Sequence, residues 1–330
     1  MPSTIELRQT DPVVGRVPDA VLCIQADELA GEVDEATISA VRTACIKHGF
    51  FYIDLSAGQQ NSVSKTLHQM DRFFSLQDED PRKQATLADD SDYGWVPKGS
   101  EPAYQPGTVS SLEAFDYGKA NLEDSGSHIW PALPGFRSDL ADCWQNFSGL
   151  GDDVLRVLAL AAKLPADWLQ TRCDSRDLNT MRLLHYAAEP EMDPQRNVGI
   201  AAHTDFECIT LLYQNSAGLE LLNTGGDWLD APVREGRIVV LLGDMLERWT
   251  NGSFKASGHR VRNTPEQRYS IVQFFAVNED VEVAPLAAFI TVDLPAQYAA
   301  VRQEQHINDE VGRAEENRRK SDQQPSCCIS

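Results

Sequence analysis

Three residues in the second half of the chain have the types and the spacing of a metal centre. His203 and Asp205 are separated by one residue in AAHTDFECITLLYQ (201–214), and His259 follows after 53 intervening residues. Alternate residues of a β-strand point to the same side, so His203 and Asp205 can converge on one point. If a second strand brings His259 beside them, two imidazoles and one carboxylate can hold one face of a metal ion and leave the other face open. That arrangement suits Fe(II) and lets it bind a bidentate ligand together with O₂.

Arg268 and Ser270, in the segment RYS, have the spacing of a carboxylate-binding pair. They share one face of a predicted strand, where the guanidinium can bind a carboxylate through two hydrogen bonds and the hydroxyl adds a third donor. Such a pair could hold the far carboxylate of 2-oxoglutarate while its keto-acid end chelates the metal. It could also hold a substrate's own carboxylate, or be an ion pair at the surface.

The elements that must position these residues are short strands. Between about 179 and 286, apolar segments such as TMRLLHYA, CITLLYQ, RIVVLLGD and YSIVQFFAV are separated by turn sequences such as NSAG and NG. Many short strands at close spacing indicate a double-sheet barrel or sandwich. We therefore expect a mainly β fold with flanking helices around a double-stranded β-helix, or jelly-roll, core.

Helical patterns lie on both sides of this core. The spacing of apolar residues predicts a helix over 34–49 that ends at Gly49, a second helix capped by Ser56, and a long helix over 138–163. Because the chain has no repeats and no low-complexity linker, we expect one integrated domain. Its parts are an N-terminal helix, strand and loop region (1–137), the long helix with the jelly-roll core (138–290), a C-terminal helix (291–320) and a tail (321–330).

The overall composition argues against several function classes. The chain has 330 residues, 42% of them hydrophobic, and a formal net charge of −21. A chain this acidic would repel the phosphates of nucleic acid, so we expect no nucleic-acid partner, and the charge favours a monomer. No segment is apolar over the length that a bilayer requires. The N-terminal MPSTIELRQTDP lacks the basic and apolar regions of a signal peptide.

The cysteines point to a reducing compartment. There are seven, an odd number, and none has the spacing of a zinc site, so we expect free thiols in a cytoplasmic protein. The last four residues, Cys327-Cys328-Ile329-Ser330, loosely fit the C-a-a-X prenylation pattern, with a basic stretch (318–320) just upstream. The alternative for this segment is a frayed polar tail.

Together, these motifs resemble one known family. HTDFECITLLYQ, GDMLERWTNGSFKASGHRV and RYS are similar to the isopenicillin-N-synthase-like branch of the 2-oxoglutarate/Fe(II)-dependent dioxygenases. In the N-terminal half, ACIKHGFFYI, RFFSL and WPALPGFRSDL also resemble segments of that family. The resemblance covers nearly all of residues 35–285, and the combination of motifs is far more specific than any one of them.

The resemblance implies roles for six residues. His203, Asp205 and His259 match the family's iron ligands, and Arg268 and Ser270 match its 2-oxoglutarate clamp. Tyr186 matches a tyrosine that commonly hydrogen-bonds a bound carboxylate, although the proline that often follows that tyrosine is Ala187 here. The function implied is an Fe(II)- and 2-oxoglutarate-dependent dioxygenase that oxidises a small organic molecule, most often by hydroxylation. O₂ is its second cosubstrate, and succinate and CO₂ are released.

Two other functions fit the same residues. An oxidase of the same fold would use no 2-oxoglutarate, and Arg268 would hold the carboxylate of its substrate. A non-catalytic barrel would bind a metal or a small ligand without turnover. Aromatic residues of the loop-rich region, Tyr104, Phe115 and Tyr117, either face the substrate or pack that region onto the barrel. His306 has no motif around it and is expected at the surface or at a helix end.

Overall fold

The computed structural model describes residues 7–88, 93–101, 104–124, 126–188 and 197–322. The C-terminal C-a-a-X segment lies outside these residues. The α-helices are α1 (Ala26–Leu29), α2 (Glu35–Lys47), α3 (Ala57–Phe74), α4 (Pro81–Gln84), α5 (Lys119–Glu123), α6 (Phe136–Ala161), α7 (Asp244–Trp249) and α8 (Gln303–Asp322). Short 3₁₀ helices span Gln170–Arg172 and Ala287–Phe289.

The strands fall into two main sheets and two small pairs. They are β1 (Val13–Arg16), β2 (Cys23–Gln25), β3 (Phe50–Asp54), β4 (Gly94–Val96), β5 (Val109–Ser110), β6 (Leu112–Gly118), β7 (Thr180–Tyr186), β8 (Asn197–Val198), β9 (Ile200–His203), β10 (Ile209–Gln214), β11 (Leu219–Leu222), β12 (Trp228–Asp230), β13 (Arg237–Leu242), β14 (His259–Val261), β15 (Arg268–Phe275), β16 (Glu282–Val283) and β17 (Val301–Arg302). The larger sheet has the order β2-β3-β13-β10-β15-β7-β6-β4, and the smaller has the order β1-β12-β11-β14-β9.

The two sheets enclose one apolar layer, and α2, α3 and α6 cover the outside of the larger sheet. Leu184 and Val272 of the larger sheet belong to the same buried cluster as Leu219 and Val261 of the smaller one. A second cluster joins the opposite face of the larger sheet to α2, α3 and α6. This is the predicted mainly β fold with flanking helices around a jelly-roll core.

Alternation along β15 separates the two faces of the larger sheet. Arg268, Ser270 and Val272 line the cavity between the sheets, whereas Tyr269 and Ile271 pack among the residues that meet the helices. Because the side-chain period of a strand is two, the register that buries Ile271 also points Arg268 and Ser270 inward together.

The predicted helix boundaries are confirmed at two ends. Lys47 is the last residue of α2, and Gly49 follows with φ of 81°, a left-handed conformation that favours glycine after a helix. The Ser56 side chain accepts a hydrogen bond from the Gln59 backbone at the start of α3, as expected of a cap.

Two elements differ from the sequence-based expectation. The C-terminal helix begins at Gln303 rather than near 291, because Pro295 lacks a backbone donor and the chain before the helix forms β17. The region read as loop-rich (77–130) contains β6, a seven-residue strand next to β7. The sequence LEAFDYG does not alternate apolar with polar residues, since one face of β6 meets the helices and the other meets the cavity, and nearly all of it is buried.

Candidate active site

Two neighbouring strands of the smaller sheet bring the predicted metal ligands together. His203 ends β9 and pairs in register with His259, which begins β14. Asp205 lies two residues beyond the end of β9. Its Oδ1 is 3.8 Å from His203 Nε2 and 3.7 Å from His259 Nε2. One ligand atom from each residue can be chosen so that all three lie within 4.8 Å of one another.

Backbone carbonyls fix the orientation of both imidazoles. His203 Nδ1 lies 2.8 Å from the Ala201 carbonyl oxygen, and His259 Nδ1 lies 3.0 Å from that of Ser257. A carbonyl oxygen can only accept, so each Nδ1 carries the proton and each Nε2 turns a lone pair toward Asp205. This is the tautomer that a metal ligand needs.

The protonation states also suit a cation. Burial, reinforced by the neighbouring His259, lowers the pKa of His203 well below its ordinary value, so the ring is neutral near pH 7. Burial raises the pKa of Asp205, and the Asp205 Oδ2 atom is buried without a hydrogen-bond partner among the described residues. A buried carboxylate beside two imidazole lone pairs is a donor set that a divalent cation would satisfy.

Arg268 and Ser270 lie in the cavity, and some of their donors have no partner in the part of the chain that the structure describes. Both side chains are almost fully buried, with 1% of their surface exposed. Arg268 Nη2 donates to Gln214 Oε1 at 3.1 Å, but Arg268 Nε and Nη1 and Ser270 Oγ find no partner among the described residues. Leaving buried polar groups unpaired is costly. These three donors therefore fit an anionic ligand such as a carboxylate.

Tyr186 lies opposite Arg268 in the register of β7 and β15. The Arg268 guanidinium sits over the Tyr186 ring, 4.6 Å from its centroid, and Tyr186 is buried. The ring therefore holds the guanidinium plane in place. The hydrogen bond from Tyr186 to a bound carboxylate remains a prediction.

One cavity of about 980 Å³ connects these residues. His203, Asp205, His259, Arg268, Ser270 and Tyr186 all line it. Its walls are apolar at Leu184, Ile200, Leu212 and Val272, and α8 contributes Ile307 and Val311. The volume exceeds what one small dicarboxylate needs and leaves room for a second molecule beside the three metal-binding candidates.

The three aromatic residues of the loop-rich region lie in different places: one is in the cavity and two pack among the helices. Tyr104 lies in the cavity and stacks on His203, with ring centroids 4.5 Å apart and an angle of 13° between the planes. Phe115 and Tyr117 point to the other side of β6 and pack among the helices. Once β6 is known, its period of two separates these residues from Asp116, which faces the cavity.

His306 is buried against the core rather than exposed. Its Nε2 lies 2.8 Å from Asp244 Oδ2, and its Nδ1 lies 4.0 Å from Glu310 Oε1. Gln303, one turn earlier on α8, donates to the Phe206 carbonyl at 2.9 Å. These contacts dock α8 beside the loop that carries Asp205. No sequence motif marked the contacts of His306 with Asp244 and of Gln303 with Phe206, because these residues lie about 60 to 100 positions apart.

Comparisons with known proteins find relatives over most of the chain. A family model described as the 2OG-Fe(II) oxygenase superfamily matches residues 178–277, and one described as the N-terminal part of non-haem dioxygenases in morphine synthesis matches 22–133. The chain is 30% identical over 278 residues to the 2-oxoglutarate-dependent dioxygenase tropC of Talaromyces stipitatus, covering 77% of this chain and 84% of that protein. It is 32% identical over 276 residues to the 2-oxoglutarate-Fe(II) type oxidoreductase hxnY of Emericella nidulans, covering 76% of each.

Solved structures show the same fold. A full-length protein of Neurospora crassa, solved in complex with alpha-KG, matches with a TM-score of 0.77 and 25% identity, covering 90% of this chain and 98% of that one. A 2OG-Fe(II) oxygenase family protein of Caulobacter crescentus matches with a TM-score of 0.74 and 26% identity, covering 89% and 99%. None of the helices in the described part of the chain combines the length and the apolar character that crossing a bilayer requires.

The similarity to tropC extends over most of both chains, and all six predicted site residues lie inside the 178–277 match. The predicted family is therefore confirmed. The chain belongs to the 2OG-Fe(II) oxygenase superfamily, whose members are oxidoreductases that use Fe(II), 2-oxoglutarate and O₂.

Proposed function

We propose that this enzyme oxidises a small organic molecule at a centre formed by His203, Asp205 and His259, with 2-oxoglutarate held by Arg268, Ser270 and Tyr186. The observation that carries the proposal is a set of three donors in the same cavity as the three converging ligand atoms. These donors, Arg268 Nε, Arg268 Nη1 and Ser270 Oγ, have no partner among the residues that the structure describes. A carboxylate between these donors would satisfy all of them.

The residues of the chain do the binding and positioning. The two imidazoles and the carboxylate of Asp205 would hold the iron, and the backbone carbonyls of Ala201 and Ser257 keep both rings in the ligating tautomer. Iron with 2-oxoglutarate supplies the activation of O₂ and the oxidation of a C–H bond, coupled to loss of CO₂ and formation of succinate. The apolar walls and α8 exclude water from the oxidised position.

We further infer that the protein is a cytoplasmic monomer without a nucleic-acid partner. The net charge of −21 supports the absence of nucleic-acid binding, because the phosphates would be repelled. The described cysteines are free thiols, which fits a reducing compartment; they are Cys23, Cys45, Cys143, Cys173 and Cys208.

The test of this function is formation of succinate. The wild-type protein with Fe(II), O₂ and 2-oxoglutarate is expected to release succinate, and Arg268→Ala and Asp205→Ala are expected to lose most of this release. Oxygen consumption without succinate would instead support the oxidase in which Arg268 binds the substrate. Absence of both oxygen consumption and succinate across a broad substrate panel would support a non-catalytic barrel.

A further inference from the structure

Three charged side chains form a cluster on the cavity wall, apart from the residues that face 2-oxoglutarate. Arg182 of β7 donates from Nη1 to Glu101 Oε1 at 3.0 Å and from Nη2 to Glu101 Oε2 at 2.5 Å. Its Nε lies 3.2 Å from Asp116 Oδ1, across the β6–β7 pair. All three residues line the cavity.

The two cavity arginines differ in the charges they face. Within the described part of the chain, Arg268 Nε and Nη1 have no hydrogen-bond partner and no carboxylate is paired with this guanidinium, so it can receive an anion. Arg182 already faces two carboxylates, and one guanidinium (+1) with two carboxylates (−2) gives this cluster a formal charge of −1. The cavity therefore offers an anion site at Arg268 and, at Arg182, a wall on which carboxylates outnumber the guanidinium, while Arg318 and Arg319 of α8 line another part of the cavity.

The negative wall lies close to the proposed metal centre. The Tyr104 hydroxyl donates to Glu101 Oε1 at 3.2 Å, and the Tyr104 ring stacks on His203. Arg182 exposes 16% of its side chain and Asp116 exposes 9%. A molecule that places a carbon atom beside His203 thus lies within reach of the cluster.

We propose that this cluster selects the substrate by charge, and this proposal rests on the proposed function. The substrate is an uncharged or cationic small molecule that carries N–H or O–H donors, and carboxylic acids are disfavoured. A substrate carboxylate at this wall would meet the carboxylates of Glu101 and Asp116, which already face Arg182. Like charges brought together in a partly desolvated site oppose binding strongly.

The test uses three probes that share one ring and differ in the charge of the side chain: tryptamine, indole-3-acetamide and indole-3-acetate. Binding of 2-oxoglutarate to the Fe(II)-loaded protein is first measured by calorimetry in the absence of O₂. Each probe is then titrated into this complex under the same conditions. The amine and the amide are expected to bind at least about tenfold more tightly than the acid. Glu101→Gln and Asp116→Asn are each expected to narrow this difference, because each removes one negative charge from the wall.

Two controls separate this proposal from other causes. Asp142→Asn removes a negative charge from the exposed side of α6, outside the cavity, and is expected to leave the ranking unchanged. In Arg268→Ala no probe can use the 2-oxoglutarate site, and the ranking is expected to persist. If the wild-type protein does not bind 2-oxoglutarate, the proposed function is contradicted. The charge selection is judged separately, from the relative affinities of the three indole compounds.

Three results would overturn the charge selection. The first is that the acid binds as tightly as the amide. The second is that the affinity difference between the acid and the other two probes is the same in the wild type, Glu101→Gln and Asp116→Asn. The third is that neither the amine nor the amide binds at millimolar concentration.

Discussion

At the scale of single residues, the proposed site depends on which buried polar atoms have partners. Arg182 and Arg268 lie on adjacent strands with side chains in one cavity, yet Arg182 is paired with carboxylates and Arg268 is not. A guanidinium retains its charge even when burial lowers its pKa, as it does for Arg268. Arg268 is therefore a charged group in need of an anion.

The first prediction concerns this arginine. Arg268→Ala is expected to weaken 2-oxoglutarate binding by about 1.5–3 kcal/mol, because a charge-assisted interaction is lost. Ser270→Ala is expected to cost less, about 0.5–1.5 kcal/mol, because its hydrogen bond involves a neutral donor. Both dissociation constants can be measured by anaerobic calorimetry with Fe(II) present.

The matched control is Arg262→Ala, which removes an arginine paired with Glu220 and Asp230 outside the cavity. Its 2-oxoglutarate affinity is expected to stay close to that of the wild type. Equal affinities for Arg268→Ala and Arg262→Ala would show that Arg268 does not bind the cosubstrate.

Sequence reasoning identified these residues because their spacing reflects strand geometry. Arg268 and Ser270 are two positions apart on β15, and a period of two places both on one side of the sheet. His203 and Asp205 also converge, but Asp205 lies in the loop after β9, so the strand period does not explain its position. Sequence reasoning missed Glu101 and Arg182, because they lie 81 positions apart and only the fold brings them together. For Tyr104 it left two roles open, and the structure places this residue in the cavity. Arg260, which directly follows the proposed ligand His259, is buried against Glu220 and the backbone of residues 8–11.

At the scale of elements, α6 supports the strand that carries the clamp. Gly151 of α6 lies directly against Phe275 at the end of β15, and a Cβ atom there would lie 2.0 Å from the Phe275 ring. Gly149, two residues earlier on the same helix, has no other residue within 4 Å of such an atom. The close approach of α6 to β15 thus requires a glycine at position 151 but not at position 149.

The second prediction uses this pair. Gly151→Ala is expected to lower the free energy of unfolding by about 1–3 kcal/mol, because the added methyl forces Phe275 or the helix to move. Gly149→Ala is expected to raise it by about 0.5–1 kcal/mol, since alanine favours a helix interior over glycine. Urea unfolding measures both. A Gly151→Ala variant as stable as Gly149→Ala would contradict the packing of α6 on β15.

Element boundaries were predicted best where one residue determines the end. Gly49 and Ser56 end and begin helices through their own backbone and side-chain chemistry. The start of α8 depends instead on Gln303, whose side chain accepts from the Val277 backbone and donates to the Phe206 carbonyl. Such tertiary contacts leave no local signal in the sequence.

At the scale of the whole molecule, we infer that the N-terminal region and the jelly-roll core form one domain. β2 and β3 from the N-terminal region extend the larger sheet beside β13, and α3 packs against α6. The cavity is enclosed by both sheets and by α8, so a ligand bound there stabilises the fold as a whole.

The third prediction follows from this coupling. Under anaerobic conditions with Fe(II), 2-oxoglutarate at about 100 times its dissociation constant is expected to raise the free energy of unfolding by about 2.7 kcal/mol. Unfolding by urea is expected to remain a single transition, and Arg268→Ala is expected to gain less at the same concentration. Two separate transitions, with only one responding to 2-oxoglutarate, would contradict the single domain.

The most direct test of the central claim is an anaerobic titration of the metal-free protein with Fe(II) and then 2-oxoglutarate. A keto acid chelated to Fe(II) gives a weak visible charge-transfer band. We expect this band in the wild type, its loss in His203→Ala, and its weakening in Arg268→Ala at limiting 2-oxoglutarate. Iron binding without a band would contradict 2-oxoglutarate as the metal-bound cosubstrate. Failure to bind iron would contradict the centre formed by His203, Asp205 and His259.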